Sequence, residues 1–508
     1  MPTLHEPSLL RRALGARATP AQQRRRLRVA AAAGALVLAL GAALFVYEQF
    51  YRQQPAPYFE SDEDHFLFGS IGTEADAGVP YWIWLVLPRI FPDLLPGPGG
   101  YSALGVVARA GADMPIGLSK VTIGYPRVGV NCALCHTASV RVAADALPTV
   151  VPGAPAHQLA AQRYLRFLTD AAADPRFTAD SILGEIAKNY RLSATDRLLY
   201  RFVVIPSTRR ALLRLRDEGP WMEAGGDWGH GRVDLLGAIT HGRLEQPRGD
   251  AGATADMPPL WRLASRPQDG GYFWTGVNTD LREVVRTSAL AGGASPSWLD
   301  RDARGWTATE PREVASLRRI LNYIAGGEPP RYPLPTDQAL AATGAEVFRT
   351  ACASCHAPDG ARAAQVVPAA EVGTDNRRLR AWPQAAADAL NTFGDGRDWA
   401  FSRFRTTDGY VAVPLDGLWL RAPYLHNGSV PSLADLLEPA ERRPRGFWRG
   451  YDVIDPVKVG FISEGAAAER EGSWYDTTQP GNGNAGHDYG TALAPELKRA
   501  LLEYLKTL

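Results

Sequence analysis

The chain is short of the residues that staple small secreted folds. Its 508 residues include four cysteines and four methionines. Four cysteines cannot hold a body of this size, so a disulfide scaffold is excluded and stability must come from a buried core. Neither sign of charge is in surplus: 55 basic side chains against 54 acidic ones give a formal net charge of +1. A global signal for nucleic acid is therefore missing. At 45% hydrophobic and 21% charged, the chain is neither disordered nor collagenous. Glycine and proline are plentiful, 50 and 39, which predicts a loop-rich fold.

The charge is unevenly spread. Residues 1–28 hold seven arginines and one glutamate, and the remainder is mildly acidic. Arg24, Arg25, Arg26 and Arg28 precede an uncharged run from Val29 to Tyr47. Such a run spans about 28 Å as a helix, close to a bilayer's hydrocarbon core. Basic flanks stay cytoplasmic. The expectation is a cytoplasmic tail (1–28), one transmembrane anchor (29–47) in the inner membrane, and a body facing the periplasm. A cleaved signal would end in a small-x-small site, and FVYEQFYRQQ offers none, so an uncleaved anchor is expected. The apolar run Tyr81–Leu87 is too short to span and reads as core or an interfacial patch.

All four cysteines sit in two motifs, Cys132-Ala-Leu-Cys135-His136 and Cys352-Ala-Ser-Cys355-His356. C-x-x-C-H is the attachment pattern of c-type haem. Two thiols at this spacing reach the two vinyl groups on one porphyrin edge, and the next imidazole turns under the iron. A zinc site needs no histidine after each pair, and a redox C-x-x-C comes once, beside a βαβ pattern. Two covalently bound haems c are expected, with His136 and His356 as proximal ligands.

Around the second motif the pattern is that of a minimal cytochrome c. Thr336 is placed to cap a helix through Ala339, Leu340 and Gly344 to Phe348. The chain closes on LKRALLEYLKTL, with Leu497, Leu501, Tyr504, Leu505 and Leu508 on one face. Ahead lies GGEPPRYPLP, whose prolines stop the preceding helix. That helix, LRRILNYI (317–324), echoes KRALLEYL (498–505), with Tyr323 matching Tyr504. The fold class expected is mainly α: two cytochrome c-like domains with long irregular insertions, a haem-1 domain at 53–327 and a haem-2 domain at 336–508, joined by a Pro-rich linker at 328–335. A helix from Gln158 to Ala171 is expected in the first.

Methionine occurs at 1, 114, 222 and 257. The second haem therefore cannot take a methionine ligand from its own region. His487, in the loop before the closing helix, is the favoured sixth ligand, with His426 second. For the first haem His65, His157, His230, His241, Met114, Met222 and Met257 are all available, and an open sixth position is equally permitted. Trp228, Trp261 and Trp274 lie between the motifs and read first as core. Arg421 and Arg377 are candidates for pairing with haem propionates.

The segments VGVNCALCH (128–136), DMPPLW (256–261), GTDNRR (373–378), PLDGLWLRAPYLHNGSVPSL (414–433) and GHDYG (486–490) resemble the rubber-oxygenase type of di-haem cytochrome c, a group related to bacterial di-haem cytochrome c peroxidases. The resemblance implies that haem 1 is the substrate-reactive centre with an open or labile distal side. It implies that haem 2 transfers electrons with His356 and His487 as its axial pair. The expected function is that of an electron-transfer oxidoreductase meeting peroxide, dioxygen or an organic substrate, with a membrane or soluble redox partner. A pure relay with both irons six-coordinate is the alternative.

Overall fold

The computed structural model describes residues 19–244, 246, 254–267 and 269–508. They form two compact units, one of residues up to 54 with 122–125, the other of 55–121 with 126–508.

In the first unit Thr19 starts helix α1 (Pro20–Val46). Its hydroxyl accepts from the Gln22 amide at 3.3 Å, while the Gln22 side chain accepts from the Thr19 amide at 3.0 Å. The four arginines expected ahead of the anchor lie inside this helix. Arginine is a good helix former, and nothing between Thr19 and Val29 breaks the run. The apolar stretch is thus the latter part of a longer helix, which widens into a π turn at Tyr47–Tyr51. No residue of α1 is buried, and the helix is long and apolar enough to cross a membrane. Residues 1–18 of the expected tail lie outside the described residues. Past the helix, Gln54 N–H donates to Thr122 O and Gly124 N–H to Arg52 O, both at 2.9 Å.

The second unit combines helices with short ladders. No sheet among the described residues exceeds three strands. Helix α2 (Asp62–Phe68) ends at the first motif. Helix α3 (Tyr81–Ile90) buries Ile83, Trp84, Val86 and Leu87, so the apolar run at 81–87 belongs to the core. Trp84 stacks on Tyr101 with ring centroids 4.3 Å apart. Helix α4 (Ala161–Ala173) starts later than expected. Gln158 is kept out of it because its side chain accepts from Ser139 N–H and donates to Thr137 O.

Two helix pairs repeat one arrangement. Helix α6 (Ser316–Gly326), which follows α5 (Leu281–Gly292), packs on α2, with Phe66 stacked on Tyr323 at 4.5 Å. Helix α8 (Pro495–Leu505) packs on α7 (Gln338–Ala351), with Phe348 against Tyr504 at 5.2 Å. Leu501 and Leu505 are buried here, whereas Leu497 is exposed. The cap of α7 is Asp337 rather than Thr336. The Asp337 carboxylate accepts from Ala339 and Leu340 N–H, suiting the positive helix end, and the Thr336 hydroxyl is engaged by the Gln338 amide.

The Pro-rich segment at 328–335 is no division in the packing. One core pools Phe66, Leu290 and Ile320 with Trp382, Leu390 and Trp399. Another pools Val140, Ala154 and Trp261 with Phe348, Trp419 and Leu501. The apolar residues from 382 to 404 find their burial against helices of the earlier half, and Trp419 Nε1–H donates to Pro330 O at 3.1 Å. Residues 55–121 and 126–508 are thus one unit where two domains were expected.

Gly344 has no room for a side chain, since a Cβ would sit on the Ala500 carbonyl. Gly344→Val should cost about 2–3 kcal/mol by forcing α7 off α8, read as a lower denaturant midpoint. His65 is buried, and its Nε2 bonds Ser316 Oγ at 2.8 Å. Burial and then Arg319 lower its pKa to about 4. The unfolded chain takes up this proton near pH 6.5 and the folded chain does so only near pH 4. Stability should therefore fall across that window by up to about 3 kcal/mol, and His65→Gln should flatten the loss in acid titrations followed by circular dichroism.

Candidate cofactor centres

Asn131 organises the first motif. Its Oδ1 accepts from Ala133 N–H at 3.0 Å, starting a single 3-10 turn at Cys132–Leu134. Its Nδ2 donates to Leu67 O and Gly69 O, tying the turn to the end of α2. The second motif follows α7 directly, with a one-turn helix at Ala353–His356. All four cysteines are half-buried and unbridged. Burial pushes the Cys132 and Cys135 thiols up to about 12 and Cys352 to about 11.

Both motif histidines are oriented by a backbone carbonyl. His136 Nδ1 lies 2.9 Å from Pro258 O, and His356 Nδ1 lies 2.8 Å from Val413 O. A carbonyl only accepts, so Nδ1 carries the proton in both and Nε2 is left with a free lone pair. This is how a ligating imidazole is held.

The two carbonyls occupy the same place in a repeated loop. Strand β4 (Ala255–Asp256) precedes Pro258, and β6 (Gly409–Val411) precedes Val413. Each pairs with an earlier strand: β4 with β3 (Arg232–Val233), β6 with β5 (Val366–Pro368). Strands β1 (Thr137–Val140) and β2 (Thr149–Pro152) form a separate hairpin beyond the first motif. Past the carbonyls, Arg262 and Gly417 adopt left-handed φ of 51° and 63°, each opening one 3-10 turn. Arg266 and Arg421 follow. Then come Tyr272-Phe273-Trp274-Thr275-Gly276 and Tyr424-Leu425-His426-Asn427-Gly428, with a bridge from each tyrosine, to Asn278 and to Val430. The two loops clasp reciprocally: Asp256 N–H donates to His426 O at 2.9 Å, and Val411 N–H to Trp274 O at 2.8 Å. Sequence reading missed this repeat. Its signal is Leu-Trp, then Arg-Pro or Arg-Ala-Pro, then Tyr-x-x-x-Gly, interrupted by loops of different length.

His487 stands opposite His356, ring centroids 6.1 Å apart at 45°. Two imidazoles bonding one metal through nitrogens about 2 Å away would have centroids about 6.4 Å apart. The separation of the pair is that of two imidazoles sharing one ion. Several features place His487. Its φ is 51°, and its amide donates to Val372 O at 2.7 Å. Gly486 lies on the Gly373–Thr374 backbone with no room for a Cβ, which joins the 373–378 and 486–490 segments. Buried Arg443 donates to Asn484 O at 2.6 Å and to Gly486 O at 2.7 Å. Burial, then His356, lowers the His487 pKa to about 4, so the ring is neutral at pH 7. His426, the other candidate, is buried with its ring stacked on Tyr410 at 3.9 Å.

Among the described residues the first motif has no such partner: no ring faces His136 as His487 faces His356. His65 is engaged by Ser316. His157 stacks on Phe461 at 3.8 Å, His230 Nδ1 bonds Ser473 Oγ at 2.9 Å, and His241 packs on Trp221 at 5.5 Å. Met114, Met222 and Met257 are buried, and Met257 directly precedes Pro258. Trp228 and Trp261 are buried too, and Trp274 Nε1–H donates to Asp256 O at 2.7 Å within the clasp.

Residues 409–449 match the family of RoxA-like, cytochrome c-like domains. A cytochrome c-like domain is present. It implies covalently bound haem c and a haem cytochrome with a redox function. The matched segment contains Val413, Arg421 and His426. The chain is also similar to two uncharacterized proteins of Sinorhizobium fredii. With y4iJ it shares 27% identity over 484 residues, 75% of this chain and 77% of the relative. With y4iM it shares 33% over 302 residues, 50% of this chain and 64% of the relative.

Within the cytochrome c-like domain, Arg421 is engaged by backbone. It donates to Pro414 O at 2.6 Å and to Asp416 O, bracing the loop whose Val413 carbonyl holds His356. It thereby positions that loop, and its Nε is buried without a hydrogen-bond partner among the described residues. Arg377 lies half-buried on the turn after Asp375, which caps its amide at 2.9 Å. Arg421→Gln leaves buried carbonyls without charged donors and should cost about 2–3 kcal/mol, read by thermal unfolding. The exposed Arg397→Gln should cost under about 1 kcal/mol.

Proposed function

We propose that this chain is a membrane-anchored, periplasm-facing cytochrome with two covalently attached haems c. Cys132 and Cys135 would anchor one and Cys352 and Cys355 the other. His136 and His356 would be the proximal ligands, and His487 the sixth ligand of the second haem. The repeated loop supports two centres, because Pro258 and Val413 serve the two motif histidines in the same way. The long apolar helix after an arginine cluster supports the anchor, with arginines on the cytoplasmic side.

The activity proposed is that of an electron-transfer oxidoreductase. Its first centre meets peroxide, dioxygen or an organic substrate, and its second exchanges electrons with a membrane or soluble redox partner. One observation carries this division: among the described residues His356 is faced by a second imidazole and His136 is not. Bound at these motifs, haem c supplies one-electron chemistry and, where one axial residue is missing, a position open to small ligands. The chain's own residues do the rest. Pro258 and Val413 hold the proton on Nδ1 and aim Nε2. The Gly486 turn and Arg443 hold His487 against its partner, which excludes exogenous ligands there. The Asp256–His426 and Val411–Trp274 clasp joins the loops that carry the two motif-facing carbonyls.

The test is a haem count and carbon monoxide binding on full-length protein matured with the haem-attachment machinery. Two haems per chain by pyridine haemochrome and one carbon monoxide per reduced chain are expected, rising to two in His487→Ala. No binding in the wild type would replace the enzyme reading by a pure relay with both irons six-coordinate. Binding that His487→Ala leaves unchanged would remove His487 as a ligand.

A further inference from the structure

One helical arm of the second unit is apolar on two sides. The helix Ala194–Leu199 runs through a π turn, Tyr200–Val204, into a second helix, Ile205–Glu218. Pro206 has no N–H to give the Phe202 carbonyl, and the wider turn accommodates its ring. The inner side buries Leu199, Tyr200, Val204, Ile205 and Leu212. It is fixed to α4, where Arg209 Nε–H donates to Ala172 O at 2.8 Å and Arg216 pairs with Asp170 at 3.7 Å. The outer side carries Leu198, Phe202 and Val203, which are 60%, 70% and 41% exposed. The packing of the arm does not need them, because the inner side already supplies one apolar stripe.

The charge around this strip has one sign. Residues 188–216 hold eight basic side chains and one acidic, Asp196, in a body that is otherwise mildly acidic. Lys188, Arg201 and Arg216 are paired with carboxylates. Arg191, Arg197, Arg210 and Arg214 are exposed and form no ion pair among the described residues. Pro206, Arg210 and Arg214, at four-residue steps beyond Phe202, are exposed as well, so apolar groups and cations share one face. A helix lying in a membrane interface has this combination. Its apolar groups enter the acyl boundary, and its arginines meet phosphate oxygens, which their planar fork suits.

We propose that the outer side of this arm docks on an anionic lipid surface. Leu198, Phe202 and Val203 enter the acyl boundary, and Arg197, Arg210 and Arg214 meet the lipid phosphates. Lipid is favoured over a protein partner because the same chain carries a helix, Pro20–Tyr51, long and apolar enough to cross a membrane. A body held by such a helix stays beside a bilayer. A strip that would bind weakly from solution then binds at high effective concentration. The inference rests on the reading of that helix as the anchor.

The test is photocrosslinking of the full-length protein in nanodiscs. The crosslinker p-benzoylphenylalanine is placed at Phe202 or, as a control, at Leu147, which is 90% exposed between β1 and β2. In discs containing phosphatidylglycerol, mass spectrometry should find lipid adducts at position 202 and none at 147. The yield should fall at least about fivefold in pure phosphatidylcholine, in about 0.5 M salt, and in R197Q/R210Q/R214Q. Equal yields at the two positions overturn the proposal. So does a yield at 202 that ignores lipid charge, salt and the three substitutions. Adducts to protein in place of lipid, when the crosslink is made in native membranes, overturn it in favour of a protein partner. Should the triple variant unfold, the lipid and salt comparisons on the wild-type arginines decide alone. A chain that does not enter nanodiscs removes the anchor reading. Its flotation with anionic but not neutral vesicles would then uphold the docking strip, and failure to float would overturn it too.

Discussion

The arrangement turns on one hydrogen bond made twice: a backbone carbonyl accepting the Nδ1 proton of a motif histidine. Pro258 O and Val413 O can do this only if their loops are rigid, because a carbonyl that wanders leaves the imidazole free to rotate. Much of the second unit serves that rigidity. The left-handed residues Arg262 and Gly417 turn the chain after each carbonyl. The clasp between Asp256 and His426, and between Val411 and Trp274, locks each loop against the other. Orientation is thus built into main chain, which a point mutation cannot remove directly.

Against that shared frame, the differences carry the functional argument. The second histidine looks across 6.1 Å at His487, which sits on a strained turn braced by a buried arginine. A left-handed φ on a non-glycine residue costs energy and persists where the surroundings enforce it. Nothing comparable is built opposite His136 among the described residues.

Legibility in the sequence followed range. The two C-x-x-C-H motifs, the long apolar helix and the closing helices were readable because each is local and its spacing has a direct physical reason. The absence of methionine past residue 257 pointed to a histidine, and His487 does lie beside His356, ring centroids 6.1 Å apart. The carbonyl acceptors were not readable, since a backbone oxygen has no residue type. Nor was the fate of Arg421, which braces its own loop, because exposure and partner are properties of the fold. The boundary drawn at the Pro-rich segment failed for a similar reason: prolines stop a helix, but they do not say which core the next apolar residues will join. Trp382, Leu390 and Trp399 joined the earlier one.

That shared core bears on how the chain must be made. A chain that emerges N-terminus first presents Phe66, Leu290 and Ile320 long before Trp399 and Phe404 arrive to cover them. Closing so long a loop is slow, and the early half stays open while it waits. The first Cys-x-x-Cys-His segment, tied by Asn131 to the end of α2, therefore remains reachable from solvent through most of synthesis. The second is flanked by α7 and completed by α8, and its window shuts once α8 docks on α7. The two attachment sites are alike in sequence, but they differ in how long each stays accessible to the machinery that would modify it.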